Sequence, residues 1–173
     1  MDTVIDASQM DPTFADQIAA EPGGEHIRRC FSCGTCTASC PVREVTERYN
    51  PRRIIRMVVL GLREQVLSSD FIWLCSTCYS CYERCPQDVR ITELMNAIKN
   101  VAVREGYVHP SFRTQVDLLR QHGRLYDITE FENEKRGEQA LPAIAERAED
   151  FGEIFAVAGL DELIQPEEAG ADR

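Results

Sequence analysis

Apolar residues recur at 54, 58, 62 and 66, the spacing of one helix face, just after an Asn50-Pro51 pair suited to begin a helix. On a helical wheel Arg52, Arg56 and Arg63 fall on one narrow stripe. Ile54, Ile55, Met57, Val58, Val59, Leu60 and Leu62 cover most of the rest, so this helix is expected to be largely buried, in the core or under a partner. A second helix is expected from about Glu93 to Arg104, capped by Thr92, stopped by Gly106 and apolar at Leu94, Ile98 and Val101. A third runs from about Ser111 to Gln121, closed by Gly123, with Phe112, Val116 and Leu119 inward. Upstream, Asp11-Pro12 opens a short helix that Pro22-Gly23-Gly24 closes. Beyond Arg136, helical spacing at Ile144, Ala148 and Phe151, then at Ile154, Phe155, Leu160 and Leu163, is broken by Pro142, Gly152 and Gly159, which suits two short amphipathic helices on an arm. No stretch alternates apolar and polar residues between turn dipeptides, so strands should be scarce.

The same pattern limits where the chain works. Its longest uninterrupted apolar stretch is Met57 to Leu60, far short of the roughly 18 residues that span a bilayer. The acidic start, MDTVIDASQMDPTF, lacks the cationic and apolar regions of a signal peptide, so a cytoplasmic location is expected. Net charge is -10, and residues 137–173 hold ten Asp or Glu against two Arg. Such an end repels phosphate backbones, which argues against nucleic acid as a partner; it is either a solvated tail or a segment that docks on a basic surface.

All eight cysteines lie in two blocks 45 residues apart: Cys30-Phe-Ser-Cys33-Gly-Thr-Cys36-Thr-Ala-Ser-Cys40-Pro41 and Cys75-Ser-Thr-Cys78-Tyr-Ser-Cys81-Tyr-Glu-Arg-Cys85-Pro86. Each follows the C-x2-C-x2-C-x3-C-P run of bacterial ferredoxins, in which three close thiolates hold one 4Fe-4S cluster and the fourth ligates the other. The two-residue gaps let a loop curl round a cluster, while the proline turns the chain away after the fourth cysteine. The spacing therefore assigns Cys30, Cys33, Cys36 and Cys85 to one cluster, and Cys75, Cys78, Cys81 and Cys40 to a second. Zinc favours paired C-x2-C knuckles and does not account for the third cysteine or for C-P in both copies. Four disulfides would need an oxidising compartment.

Two clusters use every cysteine, so no thiol remains for catalysis. His26, His109 and His122 form no ligand pair and read as surface or capping residues, and no nucleotide-binding glycine motif is present. The arginine stripe is either the solvated edge of a buried helix or a source of positive charge beside anionic clusters or an acidic partner. Phe31, Trp73, Tyr79 and Tyr82 flank the blocks and are expected to shield the clusters from water.

Helical connections between and after the blocks suit an alpha-helical ferredoxin rather than the small two-hairpin type. The run Asn50-Pro51-Arg52-Arg53-Ile54-Ile55-Arg56, then Leu60-Gly61-Leu62, then Ile72 through Pro86 closely resembles the iron-sulfur C subunit of the soluble heterodisulfide reductase of methanogens. The resemblance covers about residues 26–126 and implies a mainly α chain with two 4Fe-4S clusters on the eight cysteines named above. It further implies electron relay from the reductase's flavin subunit to its catalytic subunit, whose CCG motifs serve reduction of the coenzyme M-coenzyme B heterodisulfide. A hydrogenase or formate dehydrogenase is the implied donor, with electron bifurcation at the flavin. This chain has no adjacent cysteine pair and so is not the CCG subunit. The organisation expected is an N-terminal arm (1–25), a helical ferredoxin domain (26–126) and an acidic C-terminal arm (127–173).

Two other readings differ in class. An iron-sulfur subunit of a quinone-linked flavin dehydrogenase, of the fumarate reductase or anaerobic glycerol-3-phosphate dehydrogenase type, shares the helical cluster domain. It ordinarily adds a 2Fe-2S or CCG domain that 173 residues do not accommodate. A freely diffusing ferredoxin is disfavoured by the arms and by the apolar helix after Asn50.

Overall fold

The computed structural model describes residues 6–145 and 151–160. Its helices are α1 (Phe14–Ala20), α2 (Thr35–Ala38), α3 (Pro41–Val45), α4 (Pro51–Val59), α5 (Arg63–Leu67), α6 (Ser80–Glu83), α7 (Ile91–Arg104), α8 (Pro110–His122), α9 (Glu130–Glu138) and α10 (Gly152–Ala158). No strand occurs among the described residues, and none of their helices is long and apolar enough to cross a membrane. The fold is mainly α.

The chain divides into two compact units, Met1–Tyr107 and Val108–Arg173. In the first, α7 is the central element. Leu94, Met95, Ile98 and Val101 are fully buried along it, and α1, α5 and α6 pack against it. Burying side chains of this size stabilises by about 1.5–3 kcal/mol each, so this helix contributes a large share of the core's stability. Phe14 and Ile18 of α1 are equally buried. The short helices α2 and α6, each following a cysteine loop, pack on one another and bring the two blocks together.

Asn50 begins α4 as expected: its side-chain oxygen accepts the Arg53 N–H at 3.0 Å, and Pro51 sits in the first turn. The helix does not run on to residue 66. It stops at Leu60, Gly61 adopts φ +77°, and α5 starts afresh. The cause is tertiary: Asp11 donates its N–H to the Gly61 carbonyl at 2.8 Å, and a Cβ on residue 61 would stand 2.2 Å from the Asp11 carbonyl oxygen. The break carries Arg63 off the arginine stripe. Its guanidinium instead meets Asp11 at 3.2 Å, pairs with Glu105 and lies 5.3 Å from the Phe14 ring centre.

Thr92 does not cap α7; the helix begins at Ile91, and Thr92 is buried within its first turn. In the second unit, α8 starts at Pro110, where His109 Nδ1 accepts the Ser111 N–H, and ends at Gly123. Helix α9, which the apolar pattern did not announce, is fixed by polar bonds. The Glu132 carboxylate accepts the Thr129 N–H at 2.9 Å, and Asn133 bonds both N–H and carbonyl of Ile144. Of the expected tail helices, α10 is present with Phe155 buried, while residues 146–150 and 161–173 lie outside the described part.

Candidate iron-sulfur site

The two cysteine loops share one backbone course. Ser32 and Gly34 have φ of 60° and 88°, and their counterparts Thr77 and Tyr79 have 51° and 63°. These paired left-handed residues curl each loop on itself, and the second of them starts the following helix, α2 or α6. The local sequence asks for this conformation only at Gly34, since Tyr79 adopts it at a steric cost. Prolines then redirect the chain: Pro41 opens α3 directly after Cys40, and Pro86 follows Cys85.

These loops wall two cavities. Cys30, Cys33, Cys36 and Cys85 line the first, of about 320 Å3, together with Arg52 and Val89. Cys40, Cys75, Cys78 and Cys81 line the second, of about 260 Å3, with Tyr49 and Thr92. The structure thus gathers all eight expected cysteines, each three-cysteine loop with the fourth cysteine of the other block. Among the described residues no group of three or more Cys, His, Asp or Glu is drawn closely enough to hold one metal ion. The sulfurs stand on the walls of a space instead, an all-thiolate donor set suited to a polynuclear cluster.

Burial differs within each set. Cys36, Cys40 and Cys81 are buried, whereas Cys33 and Cys78 are exposed. The hydroxyl and amide of Thr35 hold the Cys33 thiol below its usual range, and the amide and hydroxyl of Ser80 do the same for Cys78. Burial pushes Cys36 up to about 11 and also raises Cys81. Thr35 Oγ1 lies 3.4 Å from Cys33, and two more polar groups approach sulfur: Thr92 Oγ1 lies 3.7 Å from Cys81, and the Val89 N–H donates to Cys85 at 3.4 Å.

The surroundings include residues that spacing did not reveal. Tyr49 is 1 % exposed on the wall of the second cavity. Burial holds its phenol far above the ordinary value, and Cys75, with which it shares a hydrogen bond, adds to that rise. Lys99, on α7, lies near Cys75 and 6.0 Å from the Trp73 ring centre; burial lowers its pKa against the opposing pull of the Cys75 sulfur. Thr37 ties α2 to α4: its hydroxyl donates to Asn50 Oδ1 at 2.8 Å and accepts the Arg52 N–H at 3.2 Å, holding Arg52 by the first cavity. The aromatic shield takes a different form from the one expected. Phe31 and Tyr79 line the cavities but are 61 % and 48 % exposed, and the closing aromatic is Tyr49. Its place before the Asn50 cap was the one available signal. Of the histidines, His26 bonds the Asp88 carbonyl at 2.9 Å through Nδ1 and His109 caps α8.

Residues 26–89 match the 4Fe-4S dicluster domain family. The chain is 34% identical over 170 residues to the C subunit of the H2:CoB-CoM heterodisulfide, ferredoxin reductase of Methanothermobacter thermautotrophicus, covering 94% of this chain and 91% of that protein. It is 35% identical over 177 residues to the iron-sulfur C subunit of the CoB-CoM heterodisulfide reductase of Methanopyrus kandleri, covering 94% and 92%. Identity to the C subunit of the ferredoxin:CoB-CoM heterodisulfide reductase of Methanosarcina mazei is 39% over 132 residues, 76% of this chain and 81% of that one. With likeness of this degree along nearly its whole length, a dicluster domain, and cysteines gathered four to a cavity, the chain belongs to the family of heterodisulfide reductase iron-sulfur C subunits.

Proposed function

We propose that the chain is the electron relay of a heterodisulfide reductase and carries two 4Fe-4S clusters. Cys30, Cys33, Cys36 and Cys85 hold one; Cys75, Cys78, Cys81 and Cys40 hold the other. The observation that carries the reading is the pairing of each three-cysteine loop with the fourth cysteine of the opposite block around one cavity. When bound, such clusters take up and release electrons without making or breaking bonds to a substrate.

The protein's own residues serve that chemistry by setting the surroundings. Hydroxyls and an amide near the sulfurs, from Thr35, Thr92 and Val89, favour the more negative state of a cluster, because hydrogen bonds to sulfur offset its charge. Arg52 does the same for the first site and Lys99 for the second, by charge. No cysteine is left over to act on substrate, so the conversion of disulfide to thiols falls to a separate subunit with CCG motifs. A flavin subunit is the supplier of electrons, fed in turn by a hydrogenase or formate dehydrogenase. Thiolate-ligated clusters suit a reducing compartment, which supports a place in the cytoplasm.

Anaerobic purification of the tagged chain from its native cells tests the proposal, with an iron count and mass spectrometry of whatever accompanies it. A CCG-rich subunit, a large flavin subunit and heterodisulfide-dependent oxidation of a reduced dye are expected. A quinone-linked dehydrogenase flavoprotein in a membrane fraction would replace this reading.

A further inference from the structure

The groove beside the first cavity carries positive charge that nothing in the described chain neutralises. Arg52, Arg53, Arg56, Phe31 and Leu60 help line it. It shares Cys30, Phe31, Ser32 and Arg52 with the first cysteine cavity, so the two adjoin.

The arginines are placed against their own electrostatic interest. Arg52 and Arg53 occupy the first turn of α4, where the exposed N–H groups of a helix disfavour cations, and that turn holds no acidic residue. Elsewhere in the first unit the arginines other than Arg84 are matched: among the described residues up to 107, every arginine except Arg52, Arg53, Arg56 and Arg84 has a carboxylate at ion-pair distance. Among the described residues no carboxylate lies at ion-pair distance from Arg52, Arg53 or Arg56. Arg52 has a use by the first cavity. Arg53 and Arg56 line the groove without lining that cavity, so their charge faces outward. Among them stand two exposed apolar groups, Phe31 at 61 % and Leu60 at 40 %. Unpaired guanidinium groups around apolar anchors fit a protein surface rich in carboxylates with an apolar residue at its centre. Electron tunnelling falls steeply with distance, so the face next to a cluster is where an electron-exchanging protein must sit.

We propose that this groove docks an acidic surface of a redox partner subunit, seating the partner's electron carrier beside the site of Cys30, Cys33, Cys36 and Cys85. The inference rests on the electron-relay reading and adds the face and the charge by which the partner is recognised.

The test uses the complex purified anaerobically from native cells. In a chain carrying Arg53→Glu and Arg56→Glu, affinity for the partner subunits is expected to fall by roughly tenfold or more at low salt, and its salt dependence to flatten. Iron content and visible spectrum stay at wild-type values, which separates lost docking from a lost cluster. A second chain carrying Arg53→Lys and Arg56→Lys keeps the charge and supplies amines that a carbodiimide joins to any carboxylate in contact. The expected cross-link is to an acidic peptide of a flavin or cysteine-rich subunit. Unchanged affinity in the charge-reversed chain overturns the docking site, as does a cross-link confined to this chain's own Asp and Glu residues between 138 and 172. If the groove cross-links to an acidic flavoprotein in a preparation without reductase subunits, the relay assignment falls and the docking site stands.

Discussion

The two cysteine loops have the same backbone and different company. Ser32 and Gly34 repeat the left-handed turns of Thr77 and Tyr79, and Thr35 stands to Cys33 as Ser80 stands to Cys78. The first loop opens toward the arginines of α4, whereas the second is closed by Tyr49 and Thr92 and has Lys99 nearby. Repetition of a motif thus sets the backbone course and the placing of the cysteines. It leaves the potential of each site to the elements packed against it, because charge, hydrogen bonds and burial around the sulfurs differ.

The exchanged cysteines offer the strongest separation of the two sites. Cys85→Ser is expected to remove the cluster of the first loop, and Cys40→Ser that of the second, each leaving the other intact by iron count and electron paramagnetic resonance. Loss confined to the mutated residue's own block would refute the exchange. Next comes the element that both loops share. Ile91 lines the first cavity and Thr92 the second, both on α7, so weakening that helix should affect the two sites alike. Ile98→Ala, at a fully buried position, is expected to cost about 2–5 kcal/mol in denaturant unfolding, and to lower iron retention at both sites together.

A smaller change should tell them apart without loss of iron. Tyr49→Phe removes the phenol that bonds Cys75, so the second site is expected to become harder to reduce, its potential falling by roughly tens of millivolts. The first site should stay where it was in the same redox titration, and equal movement of both would show that Tyr49 acts through general packing. The smallest effect concerns the turns. Gly34→Ala meets no close atom, only the Arg52 side chain at 3.8 Å, so its expected cost of about 1–2 kcal/mol is that of a left-handed Cβ. Tyr79→Gly removes the same strain from the second loop but frees the unfolded chain, so it should be nearly neutral in thermal unfolding.

Much of this was legible along the chain. Asn50-Pro51 placed the start of α4, Gly123 the end of α8, and the spacing of cysteines named the eight that line the cavities. Those signals are local: a cap, a left-handed stop or a loop of two-residue gaps is stable for reasons contained within a few residues. The misread positions all answer to distant contacts. The helix expected from the recurrence at 54, 58, 62 and 66 breaks at Gly61, whose carbonyl accepts the Asp11 N–H, and Arg63 leaves its stripe for Asp11 and Glu105. Thr92 had the composition of a cap and became a buried neighbour of Cys81.

The chemistry is accordingly written in the order of residues: eight cysteines in two ferredoxin-like runs, with helices between and after them. The asymmetry of the two sites belongs to packing. Tyr49 closes one site, and arginines with no carboxylate partner among the described residues flank the other, because α4 packs on α2 while α7 packs on α6. The free energy of a charge or a hydrogen bond depends on which groups lie within a few ångströms, and distance along the chain does not carry that information.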